Sequence, residues 1–292
     1  MKDLVSIADL TAEDIHDLLK SAIELKRKGK RLLEGRILAL IFEKPSLRTR
    51  VSFDVAMKQL GGDAIYLSPA EVGLGQREPV ADVARVLSRY VDGIVARTFA
   101  HESVVLLAKY ATVPVINGLS DAEHPCQVLS DLLTIYEKKG TLDGLTVGYI
   151  GDANNVADSL LLACALLGIN FRIASPKGYG PKSKILARAK NILVTDDPRE
   201  AARGADVVYT DVWTSMGQEA EAERRRAAFS GYQVNAGLLS LAKKDAIFMH
   251  PLPAHHGEEI AEGLLDAPQS VVFDQAENRL HMQKAILVRL IG

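Results

Sequence analysis

Ile37-Leu38-Ala39-Leu40-Ile41-Phe42 runs without a polar residue into Glu43-Lys44-Pro45-Ser46-Leu47-Arg48-Thr49-Arg50. Six apolar residues in a row read as a strand buried on both faces. Residues 51–60 then read as a helix that ends at Gly61-Gly62. Strand, short polar loop and helix together make the repeating unit of a parallel α/β sheet. The loop also suits an anion. A helix N-terminus offers unpaired N–H groups and partial positive charge. Ser46 and Thr49 add hydroxyls, and Arg48 and Arg50 add guanidinium forks that match phosphate. The plainer reading is an N-cap serine followed by solvated arginines.

The same grammar extends in both directions. Upstream, Thr11 with Asp14 three residues later predicts a capped helix, with an apolar stripe at Ile15, Leu18, Leu19, Ala22 and Ile23. Downstream, strands are predicted at 64–67, 92–97 and 113–116, and helices at 80–90, 102–110 and 125–139. Pro125 falls in the first turn of the last helix. Residues 68–79, rich in Pro, Gly and charge, read as a loop. The alternation restarts after Gly140. Strands are predicted at 145–150, 171–174, 192–194, 207–210, 246–249 and 271–273, and helices at 157–167, 183–191 and 276–290. The fold class is α/β, with two doubly wound parallel-sheet domains and a break near 138–145. Ligands of such sheets sit beyond the carboxyl ends of the strands. That rule groups the candidate residues, each of which follows a predicted strand.

Composition narrows the classes of function. The chain has 292 residues and is 48% hydrophobic, enough for two folded domains. Its 35 basic and 37 acidic residues give a net charge of −2. No basic excess points to nucleic acid or an anionic membrane, so neither is expected as a partner. Two cysteines, Cys126 and Cys164, suggest a reducing compartment rather than a disulfide framework. With no signal composition at the N-terminus and no membrane-length apolar run, a cytoplasmic location is expected.

In the first half, Arg97 ends a strand and His124-Pro125-Cys126-Gln127 opens a helix. His124 and Gln127 lie three apart and can face one spot, the imidazole donating to a carbonyl and the amide serving an amine. A capped helix with a small buried cysteine, and a structural salt bridge at Arg97, are the plainer readings. In the second half, Gly151-Asp152-Ala153-Asn154-Asn155 follows a strand. Gly148 and Gly151 are spaced like part of a dinucleotide loop, but the third glycine is missing and no nicotinamide cofactor is expected. Two asparagines there suit a zwitterionic ligand, and Asp211 can pair with a substrate ammonium. The charged run 218–230 is either a solvated helix face or a lid hinged at Gly217 and Gly231. In His250-Pro251-Leu252-Pro253, flanking prolines stiffen the backbone and leave the Leu252 carbonyl to accept a hydrogen bond. Asn278-Arg279 is read as opening the last helix and adding an anion contact. His250, His255 and His256 lack a helical ligand pattern or a cysteine set, so no metal is expected. Arginines and hydroxyls in one half, with carboxylate and amides in the other, suit a phosphorylated electrophile facing an amine in an interdomain cleft.

The motifs 42–50, His124-Pro125-Cys126-Gln127, Asp211 with Ser215-Met216-Gly217, and His250-Pro251-Leu252-Pro253 resemble, in this order, those of the aspartate/ornithine carbamoyltransferase family. The Ser-Met-Gly segment and Gly231-Tyr232-Gln233-Val234 are similar to its ornithine branch. The resemblance extends through residue 281. It implies carbamoyl transfer from carbamoyl phosphate to L-ornithine, a step of arginine metabolism that needs no cofactor. It implies a carbamoyl phosphate domain at 1–138 joined by a returning C-terminal helix, 276–292, and an ornithine domain at 139–275. Ser46, the Leu47 backbone, Arg48 and Thr49 would hold phosphate. Arg97, His124 and Gln127 would hold and polarise the carbamoyl group, with Thr49, Arg97 and His124 carrying the catalysis. Pro251 and the Leu252 carbonyl would orient its amide, and Arg279 would complete the clamp. Asn155, Asp211, Ser215 and Met216 would bind ornithine. A homotrimer or a multiple of trimers is implied.

Three positions depart from the family pattern. Leu47 replaces a threonine. Pro251 stands where the ornithine branch usually has a cysteine. Gly73 falls where a neighbouring subunit often supplies Gln or His, with Gln76 as its substitute. Two other readings stand beside this one: the same chemistry on another amine such as putrescine or an N-acylornithine, or a non-catalytic subunit that kept the fold.

Overall fold

Strand β1 occupies Ile37–Phe42, and five of its six residues are buried, as a parallel strand covered on both faces requires. The structure, a computed structural model, describes residues 1–188, 191–215 and 217–292. They divide into two compact units, one made of residues 1–133 and 277–292 and the other of residues 134–276.

The first unit begins with α1 (Ala12–Arg27), where Thr11 and Asp14 form the reciprocal cap expected of them. After β1 come α2 (Leu47–Leu60), β2 (Asp63–Leu67), α3 (Pro69–Val72), α4 (Val80–Leu87), β3 (Gly93–Arg97), α5 (His101–Tyr110), β4 (Val115–Leu119) and α6 (Pro125–Lys139). The sheet is parallel throughout, in the order β2-β1-β3-β4. Ala39, Ile41, Ile94, Ala96 and Val115 pack one of its faces against Val83, Val104 and Leu107. Two expectations shift here. Ser46 caps α2, so that helix starts at Leu47 rather than at 51 and takes Arg48 and Thr49 into its first turn. The loop expected over 68–79 contains the single turn α3, closed by Gly73 at φ +54°.

The second unit contains β5 (Thr146–Ile150), α7 (Asn155–Leu167), β6 (Asn170–Ala174), α8 (Ser183–Leu186), β7 (Ile192–Thr195), α9 (Pro198–Ala202), β8 (Val207–Tyr209), α10 (Ala222–Ala228), α11 (Ala236–Leu239) and β9 (Ile247–Met249). Its sheet is also parallel, in the order β7-β6-β5-β8-β9. Trp213 stacks on Phe229, and Tyr232 meets Phe229 edge-on, over a core that includes Ile150, Val208 and Phe248. Gly148 lies inside β5, where an added Cβ would meet the Ala201 carbonyl oxygen of α9 at 2.4 Å. Its glycine serves helix–sheet contact, not a dinucleotide loop. For the helix expected over 183–191, α8 accounts for the first four residues, and 189–190 lie outside the described residues.

The last helix, α12, spans Val272–Ile291. The strand expected at 271–273 is therefore absent. Ser270 bridges to Phe248 and the Val271 N–H bonds its carbonyl, but Val272 already turns into the helix. A helical course places Val272, Gln275, Arg279, Met282 and Ile286 at three- and four-residue spacing on the buried side. The residues of α12 from Glu277 onward belong to the first unit, as expected of a returning C-terminal helix. Among the described residues no helix is long and apolar enough to cross a membrane.

Candidate active site

In the first sheet, β1 leads by α2 to β2 on one side, and β3 leads by α5 to β4 on the other. The chain thus diverges between β1 and β3, and a doubly wound sheet opens a crevice at such a point, beyond the carboxyl ends of the strands. Register places Phe42 opposite Arg97, and the Glu43 N–H donates to the Arg97 carbonyl at 2.8 Å. Glu43 also accepts from the Phe99 N–H at 2.7 Å. The loop that follows β1 is thereby held against the end of β3.

Ser46 caps α2. Its hydroxyl accepts from the Thr49 N–H at 3.3 Å and donates to the Thr49 hydroxyl at 3.1 Å. Leu47 is 75% exposed, so it brings a backbone N–H to the helix start while its side chain faces solvent. Arg48 is half-buried. Arg50 departs from the expected phosphate fork: it is exposed, and its guanidinium stacks 3.8 Å from the centroid of Tyr66.

Arg97 is 5% exposed, and its Nε has no hydrogen-bond partner. Burial, then the nearby Arg279 and Arg48, lower its pKa to about 10. Burial, then Arg279 and Arg97, hold the His124 imidazole well below its ordinary range. It is therefore neutral at physiological pH and fit to donate to a carbonyl oxygen. Arg279 donates to the Thr49 hydroxyl at 2.7 Å and to the Gln127 side-chain oxygen. It lies two turns inside α12, not at the helix opening as expected, because that helix starts at Val272. The Gln127 amide also donates to Asp131 at 2.9 Å. In this state Gln127 braces Arg279 rather than presenting a free amide. The Cys126 thiol, pushed up to about 12 by burial, is inert. The result is a crevice with three guanidinium groups, two hydroxyls, a helix N-terminus and a neutral imidazole, chemistry that matches a small phosphorylated carbonyl compound.

The second sheet diverges between β5 and β8. Asn154 caps α7 by accepting from the N–H groups of Val156 and Ala157 at 3.0 and 3.1 Å. Its amide donates to Asp211 at 2.8 Å. Asp211 follows β8, is buried and also accepts from the Val212 N–H at 2.8 Å. Burial raises its pKa, partly offset by the hydrogen bonds from Asn154 and the Val212 N–H. Asn154, one of the two asparagines expected to suit a zwitterionic ligand, is thus the group that orients Asp211. Asn155, the expected one, is the half-buried first residue of α7. The Ser215 N–H donates to Gln218 at 3.1 Å. Met216 lies outside the described residues.

Beyond β9, His250 is fully buried. Its Nδ1 accepts from the Leu252 N–H at 2.9 Å, so its Nε2 carries the proton and donates to Glu259 at 3.2 Å. The His250 N–H donates to Gln275, whose amide reaches the Tyr209 hydroxyl. Pro251 is buried, and Leu252 has φ +57°, a conformation that branched and bulky residues rarely adopt. Gln76 sits in the exposed turn after Gly73, its N–H on the Gly73 carbonyl.

The charged run 218–230 also hides a buried ion pair. Arg225 is 6% exposed and donates to Asp152 at 3.0 Å and to the Trp213 carbonyl at 2.9 Å. Its guanidinium lies 5.1 Å from the Tyr179 ring centroid. The sequence carried one signal for this: Arg225 lies four residues before the buried Phe229, on the same helical face.

Fold and crevices together define a class: a two-unit parallel α/β protein with an arginine-lined anion crevice in one unit and a buried carboxylate at the crevice of the other. Residues 2–137 match the family description "Aspartate/ornithine carbamoyltransferase, carbamoyl-P binding domain", and residues 143–290 match "Aspartate/ornithine carbamoyltransferase, Asp/Orn binding domain". The chain belongs to the aspartate/ornithine carbamoyltransferase family. It is 56% identical to the ornithine carbamoyltransferase of Anoxybacillus flavithermus, over 99% of this chain and 96% of that one. The solved ornithine carbamoyltransferase of Pyrococcus furiosus superposes with a TM-score of 0.97 at 54% identity, covering 100% of this chain and 97% of that one. The Thermus thermophilus structure of the same name gives 0.94 at 50% identity, covering 100% and 99%.

Proposed function

We propose that the protein is an enzyme that transfers the carbamoyl group of carbamoyl phosphate to the δ-amine of L-ornithine, yielding L-citrulline and phosphate. The observation that carries the acceptor is Asp211. A buried carboxylate held by Asn154 attracts an ammonium and repels a second carboxylate, which favours ornithine over aspartate.

The donor is assigned to the first unit. The phosphate takes the α2 N-terminus with Ser46, the Leu47 N–H, Arg48 and Thr49, and Arg279 closes over it. Arg97 and neutral His124 point charge and a proton donor at the carbamoyl oxygen, with Thr49 beside them. Gln127 holds Arg279 in place. Pro251 and the Leu252 carbonyl orient the carbamoyl NH2, and Asn155, Asp211, Ser215 and Met216 receive ornithine. The unprotonated δ-amine attacks the carbonyl carbon. A C–N bond forms, the C–O bond to phosphorus breaks, and one amine proton ends on the departing phosphate. Placement and preorganised charge carry such a barrier without a cofactor. By the same resemblance the working assembly is a homotrimer or a multiple of one, and the two buried thiols suit a cytoplasmic location.

The test is product formation from carbamoyl phosphate with L-ornithine, putrescine, N-acetylornithine or L-aspartate. Strong preference for ornithine supports the reading. Preference for another amine moves specificity to the loop at Pro251, where the usual cysteine is absent, and inactivity with all four returns the protein to a non-catalytic role.

A further inference from the structure

His255-His256-Gly257-Glu258-Glu259 reads as a solvent-facing turn, yet Glu259 is 0% exposed. One of its oxygens, Oε1, accepts from the His255 N–H at 2.5 Å and from His250 Nε2 at 3.2 Å. The other, Oε2, is buried with no hydrogen-bond partner and lies 3.8 Å from Nδ1 of the His255 ring. A buried carboxylate oxygen left unsatisfied is costly, and such an atom marks a place for a ligand. Glu258 adds a third group: one ligand atom from each of His255, Glu258 and Glu259 lies within 4.8 Å of the others. Gly257, at φ +86°, makes the turn that brings them together.

We propose that His255, Glu258 and Glu259 form a binding site for a divalent transition-metal ion, with Zn2+ the best match. Ligand atoms about 2.0–2.2 Å from zinc in a tetrahedron sit roughly 3.4 Å apart. The His255 side chain is 48% exposed and that of Glu258 is 25% exposed, so small rotations close the set. One imidazole and two carboxylates leave the fourth position to water. The imidazole selects against Mg2+ and Ca2+, which prefer all-oxygen shells. Outer contacts are already in place. The Glu259 oxygen that would not bind the ion is fixed by His250, whose own tautomer is set by the Leu252 N–H. Arg226 donates to Oε1 of Glu258 at 2.9 Å and leaves Oε2 for the ion. His256 takes no part; it faces Glu262 at 3.7 Å. In sequence, His250, His255 and His256 share no metal-ligand spacing. The structure separates them and supplies two glutamates instead. The site does not depend on the transfer reaction.

The test titrates Zn2+ alone into the chelator-treated full-length protein, by calorimetry and by thermal melting. The expected result is one zinc per chain and a raised melting temperature. His255→Ala and Glu258→Gln, both at solvent-accessible side chains, should each weaken uptake about tenfold or more. His255→Ala should melt like the parent without zinc and lose the zinc-dependent rise. Co2+ should give visible absorption in the parent that His255→Ala lacks. Absence of stoichiometric uptake, or equal uptake and equal thermal shift in the parent and both variants, overturns the proposal.

Discussion

Replacing Arg97 with methionine should make the ligand-free protein more stable while weakening its response to carbamoyl phosphate. The guanidinium is 5% exposed, and its pKa falls from its ordinary value to about 10, chiefly through burial and secondarily through Arg279 and Arg48. At 1.36 kcal/mol per pH unit, that fall amounts to about 3 kcal/mol against the folded state. A base with a lowered folded pKa carries this cost in full below that pKa. Relief comes only as pH rises through about 10 toward the unfolded value, so at pH 7–8 all of it applies. Arg97→Met keeps a similar stem and removes the charge, and Nε gives up no hydrogen bond. The expected gain is about 1–3 kcal/mol, or roughly 2–4 °C in melting temperature for each kcal/mol. Carbamoyl phosphate should stabilise the parent by mass action, and stabilise the variant much less, because Arg97 is assigned to its carbamoyl oxygen. The assay is thermal denaturation of protein dialysed free of anions, and urea denaturation at room temperature with and without carbamoyl phosphate. A variant that melts below the parent without ligand, and keeps the full stabilisation by carbamoyl phosphate, would refute the reasoning.

Asp211→Asn should raise KM for ornithine about 10–100-fold, from the roughly 1.5–3 kcal/mol of a charge-assisted contact, and leave carbamoyl phosphate saturation nearly unchanged. Steady-state kinetics in both substrates decides it, and the reverse pattern would exchange the roles of the two units. Arg225→Met removes the partner that pulls down the Asp152 carboxyl, which burial already raises to about 6. The variant should lose about 3–5 kcal/mol at pH 8, where Asp152 must stay charged without its partner or take up a proton on folding, and much less at pH 5, where it is protonated. Equal losses at both pH values, measured by urea denaturation, would sink this account. Cys126, raised to about 12, and Cys164, raised further still, should both be silent to a thiol reagent at pH 8 and react in urea. A fast-reacting thiol in the native protein would show local opening of α6 or α7.

The strand at 37–42 was legible to the residue because an unbroken apolar run bounded by charge has few other uses. The capped start of α1 was legible because Thr11 and Asp14 declare both halves of the cap. Residues 271–273 misled because Val-Val-Phe favours strand in isolation, while the burial of Gln275 and Arg279 on the same face makes the segment helical. Ser46 announces an N-cap, yet Arg48 and Arg50 interrupt the apolar stripe, so the periodic pattern becomes readable only from residue 51, four residues after the helix starts. The sequence grouped site residues by the strands they follow. Strand order, which decides where the crevices open, comes from pairings across the sheet that no local pattern carries. Three arginines in succession, 224–226, look alike in sequence, and only packing on Tyr179 and Asp152 selects the middle one. Glu259 was hidden in the same way, inside a run whose composition suggests solvent.

The first unit is discontinuous: residues 277–292 close it after the whole of residues 134–276 have intervened. During synthesis the second unit can therefore complete itself from contiguous chain, while the first must wait. Until α12 arrives, Met282, Ala285, Ile286 and Leu287 leave an apolar face uncovered, and Thr49 and Gln127 lack the guanidinium that joins them. A nascent chain thus holds the arginine-lined crevice in an unfinished form, and its third guanidinium is supplied only by residues that follow the entire second unit.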